Sequence, residues 1–453
     1  KVRFAGIFSD RDNCAAQAGF GAVLGDKKVK AVVFKGHKGT KVKDLNTILE
    51  LRDEILSLKA IPKQKDPLPA TMGIGSGIVD PKLRTQEVLD RGEAMYITQK
   101  GNACAGCGVP CHLSGYTFVR GSNGAYHTTA DTTNASKCVA KFVYGWLAMC
   151  PKELEWLETK LHRNYRWPMD FRRGAECAWM INNYGLNSWE VISLFMWLVE
   201  LEMEGVDMDK LLGLHWDVDD PALFPKIIEM YVYRQGFGDQ LAEGMARCGE
   251  TLGGIYLKHS DHAMQGMCNH SLGTGSWFGL KYPYWVAVAL MTAVSTRDPM
   301  SDQGHKYPDF CGRRTPFLRL PELAKEYYGA EHTIDPDPEW AKTMDPEEYH
   351  DLAYCDKEYV SRTMELSGVI TGCGVFCDTI YPQTLAPEEE ERGYKGDWEV
   401  RAKMLTAVTG VEYTNENLYR RAEKIWNMER CFNVLAPTQR KPTRPGTPRC
   451  MTP

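Results

Sequence analysis

The chain has no apolar run long enough to span a bilayer. Such a span needs about 18 residues, and the longest candidate, 191–201, is interrupted by Glu200 and bounded by Glu190 and Glu202. It has no basic excess either: the formal net charge is -5, which speaks against nucleic acid as a partner. The first residues, Lys1-Val-Arg-Phe-Ala, read neither as an initiator methionine nor as a signal peptide. No disulfide-scaffold spacing organises the 15 cysteines. An odd number of thiols in a long chain favours reduced sulfur and metal binding in a cytoplasm over a secreted framework. Strand signals are scarce after residue 40, and there is no internal repeat or low-complexity segment. Glu388 to Arg392 is a short acidic run that reads as a solvated face.

Three thiols are bunched where the rest are scattered. Residues 101–111 read Gly-Asn-Ala-Cys104-Ala-Gly-Cys107-Gly-Val-Pro-Cys111. Spacings this short let several sulfurs converge on one centre, and thiolates select soft metals, chiefly zinc or iron–sulfur clusters. Structural zinc usually takes its ligands as two pairs, and no second C-x-x-C or H-x-x-x-H pair follows here. Three clustered thiols plus one distant thiol fit a four-iron four-sulfur cluster better. Zinc stays the alternative.

At 453 residues the chain can bury sizeable cores. Residues 1–36 read as strand, Gly-rich turn, strand. The turn, Gly19-Phe-Gly21-Ala-Val-Leu-Gly25, could present backbone N–H groups to a phosphate or could be a tight hairpin turn. From about residue 40 the texture is helical. Leu45, Ile48, Leu49, Leu51, Ile55 and Leu56 have helical spacing, and a polar helix is expected around 85–97. Residues 175–204 predict two helices joined at Gly185, where a helix end wants a left-handed residue, with Asn187 or Ser188 capping the next helix. That second helix is apolar almost all round and should be buried. Further helices are expected over 227–252 with a break at Gly236-Phe-Gly238, over 282–295, and over 414–432. The last is amphipathic, with Leu418, Ala422, Ile425, Trp426 and Phe432 on one side. The fold class is therefore mainly α, with a small β portion at the N-terminus.

Several separate motifs then fit one family in order. The Cys loop, Asn182-Asn-Tyr-Gly-Leu-Asn187, Tyr233-Arg-Gln-Gly-Phe-Gly-Asp-Gln-Leu-Ala-Glu-Gly244, and Leu405-Thr-Ala-Val-Thr-Gly-Val411 with Ile425-Trp-Asn-Met-Glu-Arg430 resemble the tungsten-dependent aldehyde:ferredoxin oxidoreductases. Val2-Arg-Phe-Ala with Gly19-Phe-Gly-Ala-Val-Leu-Gly-Asp-Lys-Lys28 resembles the end of that family's N-terminal β domain, so the chain reads as a fragment beginning late in it. The resemblance implies a remnant of that pterin-cradling β domain over 1–40. A helical domain with the cluster loop and first pterin motif would span 41–270. A second, with the fourth cluster ligand and second pterin motif, would span 271–453.

The resemblance also implies tungsten, or molybdenum, held by two pterin dithiolenes beside a four-iron four-sulfur cluster. The cluster ligands carried over are Cys104, Cys107, Cys111 and Cys377, with Cys373 as alternative or additional ligand. The family's first pterin motif, D-x-x-G-L-D, stands here as Asn182, Gly185 and Asn187; an amide keeps an acceptor oxygen and adds a donor. The second is carried by Glu365 and Gly368, while Gly19 and Gly21 belong to the cradle. Glu158, 24 residues before Asn182, is the candidate base. The family's late catalytic histidine has Ser301 at its register, with His305 four residues on. That departure leaves room for a relative with another substrate, such as the tungsten subunit of benzoyl-CoA reductases. His259, His262 and His270 are further candidates to line a pocket, although a lone histidine is more often structural.

The implied activity is oxidation of a small-molecule aldehyde to a carboxylic acid, with electrons passed to ferredoxin or an iron–sulfur electron-transfer subunit. The alternatives are a low-potential reductase of an aromatic acyl thioester and, from another class, a zinc-stapled helical interaction module. A homodimer is compatible with the resemblance.

Overall fold

The computed structural model describes residues 2–9, 13–15, 19–58, 96–98, 116–118, 133–134, 177, 180–220, 222–260, 290–291, 325–326, 356–377 and 396–435. They are mostly helical, as expected. Two compact units account for the chain. The first joins residues 1–34 with 64–71 and 79–270, and the second joins 35–63 and 72–78 with 271–453.

The first unit begins with a small antiparallel hairpin, β1 (Ile7–Ser9) and β2 (Asn13–Ala15), with Phe8 opposite Cys14. The Gly-rich segment that follows is not a turn but a short helix, α1 (Phe20–Asp26). Its Gly19 N-cap is left-handed, and Lys27 N–H bonds back to Val23 O at 3.1 Å. The apolar run 29–34 was expected as a strand and forms none. A strand needs a neighbour for its backbone groups, and among the described residues none lies alongside; Val33 and Phe34 are fully exposed. A second, three-stranded antiparallel sheet stands where no strand was expected: β3 (Tyr96–Thr98), β4 (Tyr116–Phe118) and β5 (Thr133–Asn134). Residues 96–97 are thus strand, not the end of a polar helix.

The unit's core is α3 (Ser188–Met203). Val191, Leu194, Phe195, Trp197, Leu198 and Leu201 are buried on several sides of it, each such side chain stabilising the fold by about 2 kcal/mol. Around it lie α4 (Met208–Leu212), α5 (Leu223–Tyr233), α6 (Gly238–Leu241), α7 (Met245–Leu252) and α8 (Gly254–Ser260). The expected break at 236–238 separates α5 from α6.

In the second unit, α2 (Leu45–Leu58) starts at Asp44, whose carboxylate accepts from Thr47 N–H and Thr47 Oγ1. It packs on α10 (Val400–Thr409), with Leu51 and Ile55 buried. Helices α9 (Lys357–Gly374) and α11 (Asn415–Leu435) enclose Leu366, Val369, Ile370, Ala402, Leu418 and Ala422 with α10. Phe432, expected on the buried side of α11, is 70% exposed. Its face of the helix runs on past the stretch that these neighbours cover. No helix among the described residues is long and apolar enough to cross a membrane.

Candidate cofactor site

The segment Arg3 to Gly6 is the thread around which four of the candidate residues, Gly19, Gly21, Gly185 and Asn187, are gathered. On one side it meets the motif 182–187. The helix over 180–184 ends with Gly185 left-handed at φ 71°; Gly185 N–H bonds to Asn182 O and Leu186 N–H reaches back to Ile181 O. This is a Schellman end, and buried Leu186 supplies its apolar contact. Gly6 N–H then donates to Gly185 O at 2.8 Å, Asn187 N–H to Phe4 O at 3.0 Å, and Val191 N–H to Asn187 O as α3 begins. The backbone donors of Gly185, Leu186 and Asn187 are all spent inside the chain. The Asn187 side chain is 2% exposed, whereas Asn182 keeps part of its surface.

On the other side the thread meets the candidate cradle. Gly21 N–H donates to Ala5 O at 2.9 Å. A Cβ on Gly21 would collide with Gly6 O and come within 2.8 Å of Ala5 C; one on Gly19 would collide with Arg3 O. What these two glycines let approach is the chain's own backbone. The structure therefore gathers Gly19, Gly21, Gly185 and Asn187 around one segment.

Two features here escape a reading of the sequence. The first is Glu190, in the first turn of α3 and buried. Its Oε1 accepts from Met245 N–H at 2.8 Å, closing the N-terminus of α7. Burial outweighs that bond and pushes the carboxyl up to about 7. The available signal was an acid opening an otherwise apolar helix. The second is the latch within 233–244. Arg234 bonds Asp239 Oδ1 and Glu243 Oε1, each at 2.7 Å, and Glu243 Oε2 accepts from Arg3 Nε at 2.6 Å. Together with Arg3 N–H to Ala242 O, it ties the thread to the loop before α7. The Tyr184 hydroxyl, inside the motif, lies 3.4 Å from Glu229 Oε1 and beside Tyr233, and its pKa is raised, chiefly by burial. His259 is buried between Glu200 and Glu204 of the α3 segment, at 3.4 and 3.2 Å, a structural placement.

In the second unit Glu365 and Gly368 lie within the unbroken helix α9, both buried. The helix ends at left-handed Val375, with Phe376 N–H bonded to Thr371 O. Cys373 and Cys377 flank that end, and both are exposed. Buried in the same unit is Arg401, whose Nη1 donates to Ser367 O and Thr371 Oγ1. Cys104, Cys107, Cys111, Glu158, Ser301, His262, His270 and His305 lie outside the described residues. No group of three metal-ligating side chains occurs among the described ones.

The fold defines a class: a mainly helical protein with a small β element at its start. The aldehyde ferredoxin oxidoreductase model for domains 2 and 3 matches residues 82–448, and the chain belongs to that family. Two tungsten-containing aldehyde ferredoxin oxidoreductases, from Pyrococcus abyssi and Pyrococcus horikoshii, are each 22% identical to it over 96% of the chain. A third, from Pyrococcus furiosus, is 21% identical. The chain spans 62% of the length of the first two. The same fold occurs in a solved structure of the active-site complex BamBC of benzoyl coenzyme A reductase with 1,5-dienoyl-CoA. The TM-score is 0.55 at 17% identity, covering 96% of this chain and 64% of that one.

Would these residues suit a pterin? Of the first motif, Asn182 is partly exposed, and its amide is of the type that has both a donor and an acceptor. Gly185 and Asn187 shape the turn that holds it.

Proposed function

We propose that this chain is the helical portion of a tungstopterin and iron–sulfur oxidoreductase. It would oxidise an aldehyde with water to a carboxylate, releasing three protons and two electrons, the electrons going to ferredoxin or an iron–sulfur subunit. The observation that carries this reading is the family match across 82–448, taken with three thiols spaced for a cluster inside it. Bound, the metal and its pterins would exchange the electron pair with substrate, and the cluster would pass electrons singly.

The chain's own residues have the remaining tasks. Cys104, Cys107, Cys111 and Cys377 would hold the cluster, and exposed Cys377 follows a helix end that directs the chain out of α9. Asn182 would orient the pterin through its amide. Glu158 would take a proton as water adds to the aldehyde carbon and the C–H bond is lost. His305 would stand as the second proton-handling group. The molecule would work in the cytoplasm on a small substrate.

A second reading is supported by Ser301 at the register of the family's histidine: reduction of an aromatic acyl thioester by a low-potential partner. Turnover separates the two. Reduction of a viologen dye by the native protein with short aldehydes is the expected result. Inactivity with aldehydes, together with reduction of benzoyl-CoA by a strong reductant, would replace the first reading by the second.

A further inference from the structure

We infer that Tyr184 is the positioning residue of the first motif. Tied by its hydroxyl to α5, it sets the direction in which the last helical turn before Gly185 presents Asn182. This rests on the reading of Asn182 as the residue that orients the pterin. Asn182 and Tyr184 belong to the same final turn. A helix advances about 100° per residue, so side chains two residues apart leave it on opposite sides. Whatever grips Tyr184 on one side therefore fixes where Asn182 points on the other.

The grip comes from the end of α5. Glu229 and Tyr233 are four residues apart and share a face of that helix, while Ile228 and Tyr231 between them are fully buried. The Tyr184 hydroxyl donates to Glu229 Oε1 at 3.4 Å and meets the hydroxyl of Tyr233. The two tyrosine rings pack edge to face, with centroids 6.0 Å apart. Tyr233 is 57% exposed, so this contact adds little burial. Buried Ile181 and Leu186 hold the turn in place by bulk; the hydroxyl adds direction. A phenylalanine at 184 would fill the same space, but only a hydroxyl reaches the carboxylate. The same helix end also holds the segment that the motif meets. Tyr231 packs edge-on against Phe4 at 5.7 Å, and Arg234 is linked to Arg3 through Glu243. Since Gly6 N–H donates to Gly185 O, thread and turn are both referred to α5.

The test follows loss of heavy metal and pterin from the native protein during anaerobic dialysis, with iron in the same samples as internal standard. Pterin is read by its fluorescence after oxidation. Tyr184→Phe should lose tungsten or molybdenum, and pterin, about tenfold faster than the parent, as when the partner of a binding group is removed. Iron loss should be unchanged. Glu229→Ala should behave in the same way, whereas Glu229→Gln keeps an acceptor and should stay close to the parent. Tyr184→Phe combined with Glu229→Ala should be no worse than either alone. Heavy-metal loss at the parent's rate in Tyr184→Phe would overturn the inference. So would parallel loss of iron and pterin, the sign of general loosening, or additive effects in the combined variant. If Tyr184→Phe fails to fold, equal rates in Glu229→Ala and Glu229→Gln decide against it. A parent carrying neither heavy metal nor pterin would instead overturn the redox reading, and this inference with it.

Discussion

The two stretches that resemble pterin motifs are built in opposite ways. At 182–187 a helix stops. Gly185 turns left-handed, Leu186 is buried, and the thread from Arg3 to Gly6 receives the freed backbone groups. At 365–370 a helix continues, because Leu366, Val369 and Ile370 face the core shared with α10 and α11. An acid or amide three residues before a glycine therefore does not by itself define a loop. What decides is whether another segment stands ready to accept the backbone that a stop would free. The surrounding polar groups differ too. Around the first motif, buried Glu190 and partly buried Arg234 find partners within the chain. Beside the second, Arg401 is enclosed and donates from Nη1 to Ser367 O and Thr371 Oγ1 of α9.

The strongest way to break this comparison is to wedge the thread away from its neighbours. Gly21→Ala places a Cβ against the Gly6 and Ala5 backbone, which cannot rotate aside. It should cost about 3 kcal/mol or more, read by urea unfolding. A near-neutral result would mean that the thread is not held as described.

A smaller effect sharpens the comparison. The Glu190 carboxyl rises from 4.5 to about 7 on folding. Between those values the unfolded chain has lost the proton that the folded one keeps. Stability therefore falls as pH rises through that window and is level above it. Glu190→Gln keeps an acceptor for Met245 N–H and removes the titration. At about pH 8 it should be more stable than the parent by about 2 kcal/mol, with the slope gone. An unchanged slope would show that Glu190 is not the group responsible.

Much of the helical frame was legible because its signals are local. The apolar wrap of α3 and the Gly185 stop each rest on a few adjacent residues. Besides the Gly-rich turn that is helix α1, the failures are cases where a distant partner decides. Residues 29–34 have strand composition but no neighbour among the described residues. Tyr96 and Ile97, the end of the helix expected around 85–97, are strand because they pair with Phe118 and Thr117. Phe432 has the right spacing, but nothing described covers it. In the site, Gly19 and Gly21 were legible as a Gly-rich cradle and Val2 to Ala5 as part of the same resemblance, but only the fold shows that the two meet. Arg401 and Glu190 each sit among apolar neighbours in sequence, and only packing shows that they are enclosed.

The central claim is that the early thiol trio holds an iron–sulfur cluster in a tungsten enzyme. Elemental analysis of native protein tests it most directly. Iron near four per chain with about one tungsten or molybdenum, the iron falling in a Cys104→Ala variant, is the predicted result. Zinc near one per chain, with neither iron nor a heavy metal, would contradict it and leave a zinc-stapled helical module.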